Sequence, residues 1–183
     1  YQGEKAVFDG YLHYRGIVEA APYLTGASMA VVGHRTHRAI LYPVMQRPGG
    51  KVMINWLAYT KIPPGAPPLE AWDAVADKQA CVERFKGWTY PWLDVHGLFA
   101  ATPDADVLQF PNVARDPIPR WRFGRLPSIG DAAHPMQPVG AQAGSQAVVD
   151  GRVLAASLMA NRDPAEALTR YQNERIAAMN DMI

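Results

Sequence analysis

Residues 127–151 constrain the fold more than any other part of this chain, because their character changes three times over a short distance. The stretch reads PSIGDAAHPMQPVGAQAGSQAVVDG. A short apolar run ends in Gly130-Asp131, a loop rich in Pro and Gly follows, and a helical pattern begins near Ser145. A glycine lets a ligand approach the backbone, and the carboxylate beside it can accept hydrogen bonds from sugar or polyol hydroxyls. The pattern predicts a strand, a ligand-binding turn and a helix; the plain alternative is a turn that binds nothing.

The second half of this loop predicts a place for an anionic or electron-rich group. Gly140 and Gly144 permit positive φ angles. The helix predicted over residues 145–160 points its unpaired N–H groups and the positive end of its dipole back toward the loop. Its apolar residues fall on one broad face: Val148, Val149, Val153, Leu154 and Leu158.

A second helix is predicted immediately afterwards. Asp163 suits the N-cap, Pro164 the first helical position, and Glu166 follows three residues after the cap. This helix is expected to end near Met179.

The earlier part of the chain predicts a sheet. Segments 11–18, 28–43 and 51–60 are rich in Val, Ile, Tyr and Trp, and we expect them to be three strands of one sheet. Residues 45–50 contain one Pro and two Gly, which suit the tight connection of an antiparallel hairpin between the last two strands.

The middle of the chain is less regular. Prolines in residues 62–68 predict a loop. Helical spacing predicts one or two helices within residues 69–86, residues 87–105 look irregular, and residues 107–118 predict a strand followed by a turn.

Composition excludes several kinds of partner. With 49% hydrophobic and 19% charged residues and a net charge of +1 from interspersed signs, the chain predicts neither a nucleic-acid nor an acidic-lipid partner. It has no apolar run of about 18 residues that could span a membrane. The single cysteine, Cys81, excludes an internal disulfide and is expected to be a buried, inert thiol. We expect a cytoplasmic protein without a membrane partner.

Two pairs of side chains could form a metal site or a substrate site, but each pair is more simply explained by its position on a strand. His34 and His37 are three residues apart, which on a strand places them on opposite faces, so no metal site is predicted. Arg35 and Arg38 could meet a carboxylated substrate or lie on a solvated strand edge.

The run GDAAHPM..P.G followed by SQA..D resembles the second flavin-binding motif of FAD-dependent aromatic hydroxylases, the flavoprotein monooxygenases of the para-hydroxybenzoate hydroxylase type. The preceding RDPIPRWRFGRLPSIGDAAH is similar to the branch that contains salicylate and phenazine hydroxylases. The match is specific over residues 115–183. It is weaker over residues 1–110, where it depends on the pairs Arg15-Gly16 and Tyr42-Pro43.

The resemblance implies a mixed α/β (α+β) fold. An antiparallel substrate-binding sheet domain would occupy residues 1–110, and the carboxy-terminal part of an FAD-binding Rossmann-like domain would occupy residues 111–183. It implies FAD as cofactor, NADH or NADPH as co-substrate, no metal, and hydroxylation of a small aromatic substrate by O2.

The resemblance also implies roles for individual residues. Asp131 would bind the ribityl or diphosphate part of FAD, with Gly130 allowing the approach, and Pro138 would lie beside the flavin ring where oxygen reacts, as the catalytic position. The backbone of Gly140, Ala141 and Gln142 would contact the pyrimidine edge of the ring. Two aromatic residues, Tyr42 and Trp56, are weaker candidates for contact with the substrate.

The sequence departs from the family pattern in two respects. Gln142-Ala143 stands where relatives commonly have Asn-Gly, which puts a Cβ at a position that could require positive φ. The strand, GxGxxG and helix that hold the ADP half of FAD in this family are not found, so the expected partner is a missing amino-terminal half of the same enzyme. The isolated chain is expected to be catalytically silent and prone to form homo-oligomers. The alternative is a non-catalytic module that keeps the motif as a structural turn.

Overall fold

The computed structural model describes residues 7–62, 74–136 and 139–182. The chain divides into two compact units. The sheet unit comprises Gly10–Asn112, and the helix unit joins the residues before Gly10 to those from Val113 onward. The division into a substrate-binding and a flavin-binding part stays a prediction.

A six-stranded sheet forms the centre of the sheet unit, with strand order β2-β3-β4-β1-β8-β5. Strands β6 and β7 form a separate small ladder. The first eight strands are β1 (Val7–Ala20), β2 (Ala30–Gly33), β3 (His37–Gln46), β4 (Val52–Lys61), β5 (Ala74–Val75), β6 (Thr89–Tyr90), β7 (Leu93–Asp94) and β8 (Leu108–Ala114). The predicted sheet and its hairpin are confirmed, since β4 pairs antiparallel with both β3 and β1.

The segment predicted as one strand over residues 28–43 is in fact two strands. Gly33 has a φ of 112°, and the His34 N–H donates to His37 O at 2.7 Å, which closes a tight turn between β2 and β3. A glycine in the left-handed region turns the chain where another residue would be strained. The single-strand prediction was therefore wrong at this point.

Two short helices add side chains to the core of the sheet unit, which the strands also line. Helix α1 (Lys78–Arg84) begins at Asp77 and helix α2 (Val95–Ala101) begins at Asp94, and each aspartate accepts a hydrogen bond from a backbone N–H of its first turn. Aromatic rings meet in the core, with Trp56 stacked on Phe99 at a centroid separation of 4.1 Å. Helix α2 lies in the segment expected to be irregular.

Cys81 of α1 is buried, as predicted. Burial raises the pKa of its thiol to about 12, with a smaller opposite effect from Arg84. The thiol is therefore protonated and unreactive at neutral pH.

The helix unit contains a short hairpin and two long helices. Strands β9 (Arg122–Phe123) and β10 (Leu126–Pro127) form the hairpin, followed by a 3-10 turn at Gly130–Ala132 and by helices α3 (Ala143–Ala160) and α4 (Pro164–Asn180). The predicted start of α4 is confirmed, because the Asp163 side chain accepts from Ala165 N at 2.9 Å and Pro164 is the first helical residue. Within the described residues, no helix is long and apolar enough to cross a bilayer.

Helix α3 buries only part of its predicted apolar face: Val153 and Leu154 are partly buried against the core of the helix unit. Its buried residues are Asp150 and Ser157, whereas Val148 is 74% exposed and Leu158 is 45% exposed. The inward face also carries the hydrogen-bonded carboxylate of Asp150, which apolar periodicity does not predict.

Candidate functional site

The turn at Gly130 is packed on one side and open on the other. Gly130 is buried with a φ of 53°, and a Cβ at this position would lie 3.1 Å from Ala147 Cβ. Its carbonyl accepts from Ala133 N at 2.8 Å and from His134 N at 2.9 Å. Asp131 is exposed. Glycine thus permits both the close packing and the left-handed backbone, and the turn presents the Asp131 carboxylate outward.

The second half of the loop exposes backbone at the start of α3. Gly140 and Ala141 have φ angles of 82° and 54°, and both are exposed together with Gln142. Gln142 makes no side-chain cap; its amide donates to Gly140 O at 3.4 Å instead. The first-turn N–H groups of α3 therefore have no side-chain cap at this position, and they carry the positive end of the helix dipole.

The residue with positive φ lies two positions before Ala143, the residue at which the resemblance to the family suggested it. Ala143 is the first residue of α3, and the residue in the left-handed region is Ala141. The expectation of positive φ at the Gln142-Ala143 pair was wrong, since the tight turn is completed before the helix begins. Pro138, the predicted catalytic position, lies outside the described residues.

Beneath the turn lies a buried ionic network centred on Asp150. The side chain of Asp150 is fully buried and accepts hydrogen bonds from Gly130 N at 2.9 Å, from His134 Nε2 at 2.5 Å and from Arg175 Nε at 2.8 Å. Burial alone would raise the pKa of this carboxyl, but the bonds from Arg175, Gly130 and His134 outweigh it, so the pKa lies below its usual value. Asp150 is therefore ionised at neutral pH.

Helix α4 contributes Arg175, the positively charged partner of Asp150, and further hydrogen bonds to residues 121–128. Arg175 also donates to Gln146 Oε1 at 2.7 Å, and the Tyr171 hydroxyl donates to Ser128 O at 2.9 Å. Gln172 accepts from the backbone N–H groups of residues 121 and 122. The sequence-based candidates included neither Arg175 nor Asp150; the only signal was the aspartate of the SQA..D run.

The two predicted substrate residues lie on opposite faces of the sheet. Trp56 is opposite Leu41 across β3 and β4, whereas the neighbouring Tyr42 is opposite Asn55, and successive residues of a strand point to opposite sides. Trp56 is fully buried on the face that meets α2, and its Nε1 donates to Thr102 Oγ1 at 2.9 Å. Tyr42 is half-buried on the second face. The structure does not bring the two side chains together.

A neutral histidine is buried on this second face. His13 packs its ring against Tyr59 at 4.0 Å and Phe110 at 5.2 Å between centroids, and its Nε2 has no hydrogen-bond partner. Burial lowers the pKa of His13 to about 4. Arg38 is opposite Tyr59 in the register and is half-buried.

His34 and His37 lie close together, contrary to the expectation of opposite faces. Their ring centroids are 5.9 Å apart, and both Nδ1 atoms lie 3.1 Å from Thr36 Oγ1. The turn at residues 34–36 breaks the strand alternation and brings the rings to the same side. In the part of the chain that the structure describes, no three His, Cys, Asp or Glu side chains cluster as metal ligands.

Comparison with known proteins identifies the family. Residues 91–183, half of the chain, match the family described as FAD binding domain. The chain belongs to this family. FAD is therefore its cofactor, and the expected resemblance to FAD-dependent aromatic hydroxylases is confirmed.

Relatives among curated proteins carry hydroxylase and monooxygenase names. Phenazine 1,6-dicarboxylic acid hydroxylase PhzS of Lysobacter antibioticus is 39% identical over 168 residues, which cover 88% of this chain and 40% of the relative. Aurachin C monooxygenase/isomerase of Stigmatella aurantiaca is 31% identical over 176 residues, which cover 96% of this chain and 43% of the relative. The chain spans less than half the length of either relative.

A solved structure shares the fold. HpxO of Klebsiella pneumoniae, complexed with FAD and uric acid, superposes with a TM-score of 0.73 at 24% identity, covering 98% of this chain and 43% of that one. The mixed α/β fold with an antiparallel sheet is thereby confirmed.

The loop has the donors and space that part of an FAD molecule needs. Nothing lies within 4 Å of an added Cβ at Gly144, and the added Cβ at Gly140 would meet only the Gln142 side chain, at 3.9 Å. Open backbone, N–H groups without a side-chain cap and the exposed Asp131 carboxylate suit an electron-rich ring edge and a polyol chain. The residues present therefore fit the cofactor.

Proposed function

We propose that this chain is part of a monooxygenase that hydroxylates a small aromatic substrate with FAD, O2 and NADH or NADPH. The observation that carries the proposal is the exposed Asp131 carboxylate together with the exposed residues 140–142 at the uncapped start of α3, in a member of the FAD binding domain family.

The chain's residues bind and orient the cofactor in this proposal. Asp131 accepts hydrogen bonds from the ribityl or diphosphate portion, and Gly130 lets that portion approach the backbone. The backbone of Gly140, Ala141 and Gln142 faces the pyrimidine edge of the ring, where the α3 dipole stabilises negative charge. Pro138 takes the position beside the ring by resemblance to the family.

FAD supplies the redox chemistry: an aromatic C–H becomes C–OH, NAD(P)H is oxidised, and the second oxygen atom of O2 leaves as water. The protein needs no side-chain nucleophile for this reaction. Its task is to exclude water and to hold the aromatic ring in place.

The second face of the sheet supports Tyr42 better than Trp56 as a substrate contact. Tyr42 is half-buried there, on the same face as Tyr59 and Arg38, while the Trp56 indole is enclosed on the other face. Tyrosine offers an aromatic surface together with a hydroxyl group, and arginine can pair with a carboxylate. The substrate class that fits is an aromatic acid or phenol.

We also propose where the rest of the FAD site comes from, where the enzyme is located and how the isolated chain associates. We propose that a further part of the same enzyme, the amino-terminal half expected from the resemblance, holds the rest of the FAD molecule. The cytoplasm, where NAD(P)H is available, is the proposed location. We propose that the isolated chain self-associates through exposed apolar side chains such as Val148 and Leu158.

The test uses the protein at its full natural length, reconstituted with FAD. Phenazine carboxylates, hydroxynicotinate, hydroxybenzoates and salicylate are screened for substrate-dependent NAD(P)H oxidation and O2 uptake. We expect one class to give hydroxylated product in proportion to NAD(P)H consumed. Oxidation without a hydroxylated product from any aromatic would overturn the proposed reaction.

A pair of variants tests the cofactor contact. Asp131→Ala is expected to weaken FAD binding, measured by flavin fluorescence titration, by about tenfold, because a charge-assisted hydrogen bond is lost. Asp106→Ala removes an exposed aspartate of the 3-10 turn Asp104–Asp106 in the sheet unit and is expected to leave FAD affinity unchanged. Equal affinity in both variants would contradict the role given to Asp131, and a protein without any flavin band would favour the non-catalytic module.

A further inference from the structure

We infer that Asp150 is a positioning residue for bound FAD, which fixes the Gly130–Asp131 turn, and that Arg175 acts on the cofactor through Asp150. The inference deepens the proposed function and rests on FAD binding, not on the hydroxylation.

Asp150 acts through the turn, since its fully buried carboxylate presents nothing to a ligand. One oxygen, Oδ2, accepts both from Gly130 N at 2.9 Å and from His134 Nε2 at 2.5 Å. These two donors lie at the start and just beyond the end of the 3-10 turn Gly130–Ala132. Asp150 Oδ2 is therefore hydrogen-bonded at both ends of the turn on which Asp131 lies.

The other oxygen is held from α4. Arg175 Nε donates to Asp150 Oδ1 at 2.8 Å, and a second nitrogen of the same guanidinium donates to Gln146 Oε1 at 2.7 Å. Gln146 and Asp150 are one helical turn apart on α3. The planar guanidinium thus spans one turn of α3 and sets the orientation of the carboxylate.

Because Asp150 and Arg175 form a buried ion pair, removing either side chain leaves the other charge without its partner. The Asp150 and Arg175 side chains are both buried, and an unpaired buried charge is far more costly than a neutral pair of similar shape. Loss of Arg175 would draw water or a new partner to Asp150 and release Oδ2 from Gly130. The turn would then lose the fixed geometry that gives tight ligand binding without an ordering cost.

The test measures FAD affinity in the protein at its full natural length. Three variants are compared with wild type: Asp150→Ala, the double variant Asp150→Asn/Arg175→Gln, and Leu168→Ala as control. Leu168 is buried on α4 but has no hydrogen bond to the network, so its truncation destabilises α4 without touching the turn. The readouts are the FAD dissociation constant, the visible circular dichroism of the bound flavin, and the unfolding midpoint of the FAD-free protein.

We expect Asp150→Ala to weaken FAD binding by about tenfold or more and to change the flavin dichroism. The double variant is expected to bind within about threefold of wild type, because its amide oxygen still accepts from Gly130 N and neither charge remains unpaired. Leu168→Ala is expected to lower the unfolding midpoint with little change in affinity or dichroism. If Asp150→Ala does not fold, Asp150→Asn alone takes its place, with a weaker but distinct change in dichroism expected.

Equal loss of FAD affinity in Leu168→Ala and Asp150→Ala at equal loss of midpoint would overturn the inference, as would wild-type affinity in Asp150→Ala. A wild-type protein that binds FAD but hydroxylates nothing refutes only the proposed reaction. One that binds no FAD refutes both.

Discussion

At the scale of the residue, the loop before α3 contains a backbone conformation that its side chain disfavours. Ala141 has a φ of 54°, and of the described residues other than glycine only Leu24 shares this region. A left-handed residue with a Cβ costs about 1 kcal/mol relative to glycine. Such strain is found where a loop is shaped for a ligand rather than for stability alone.

Replacing this alanine is expected to relieve the strain. Ala141→Gly should raise the free energy of unfolding by about 1 kcal/mol, measured by urea denaturation without FAD. Ala155→Gly, at an exposed position inside α3, is the matched control and should lower it by about 0.5–1 kcal/mol through helix propensity. A loss of stability in Ala141→Gly would contradict the left-handed conformation.

At the scale of the element, strand β1 lies directly against a core side chain at Gly16. Gly16 is opposite Trp56 in the β1–β4 pairing, and a Cβ on Gly16 would lie 2.6 Å from Trp56 Cε2. The indole cannot move away freely, because its ring is stacked on Phe99 and its Nε1 is bonded to Thr102. The close approach of strand and ring therefore depends on glycine.

We expect Gly16→Ala to cost about 1–3 kcal/mol of unfolding free energy by overpacking. Gly151→Ala in α3 has nothing within 4 Å of the added Cβ and should instead gain about 0.5–1 kcal/mol. Urea denaturation checks both values. Similar effects of the two substitutions would show that Trp56 can shift at little cost.

At the scale of the whole molecule, buried ionisable groups give the fold a pH dependence. His13 has a pKa of about 4 in the folded chain, against an ordinary value of 6.5. The unfolded chain binds the proton first as pH falls, so stability is full above pH 6.5 and declines toward pH 4. His37, whose pKa is also lowered by burial and by His34 and Arg84, acts in the same direction. Asp150 has a lowered pKa, so its contribution disappears only at more acidic pH.

The pH effect is testable with one substitution. A shift of this size corresponds to about 3 kcal/mol of unfolding free energy between pH 7.5 and pH 4. His13→Phe keeps an aromatic ring against Tyr59 and Phe110 and should flatten the dependence, measured by urea denaturation across that range. Ala155→Gly, which lowers stability within α3 but leaves both histidines in place, is the control and should keep the wild-type slope. An unchanged slope in His13→Phe would mean that other groups carry the effect.

Features that depend on near neighbours along the chain were predictable from the sequence. Asp163 and Pro164 predicted the start of α4, the turn residues between β3 and β4 predicted the hairpin, and residues 127–151 pointed to the FAD binding domain family. Caps and turns are set by side chains a few positions apart, so they can be identified without knowing the fold. The residues expected to contact FAD and substrate stay predictions.

Contacts between side chains distant in sequence became visible only in the folded chain. Asp150 bonds to partners between 16 and 25 positions away, and no local pattern shows that a carboxylate on α3 lies beneath the Gly130 turn. The turn at residues 34–36 and helix α2 were missed for a related reason, because a left-handed glycine and a short capped helix leave little periodicity. Apolar spacing on α3 correctly predicted that Val153 and Leu154 face the core, but it also predicted Val148 and Leu158, which are exposed. Spacing could not show that Asp150 takes an inward position through its buried ion pair.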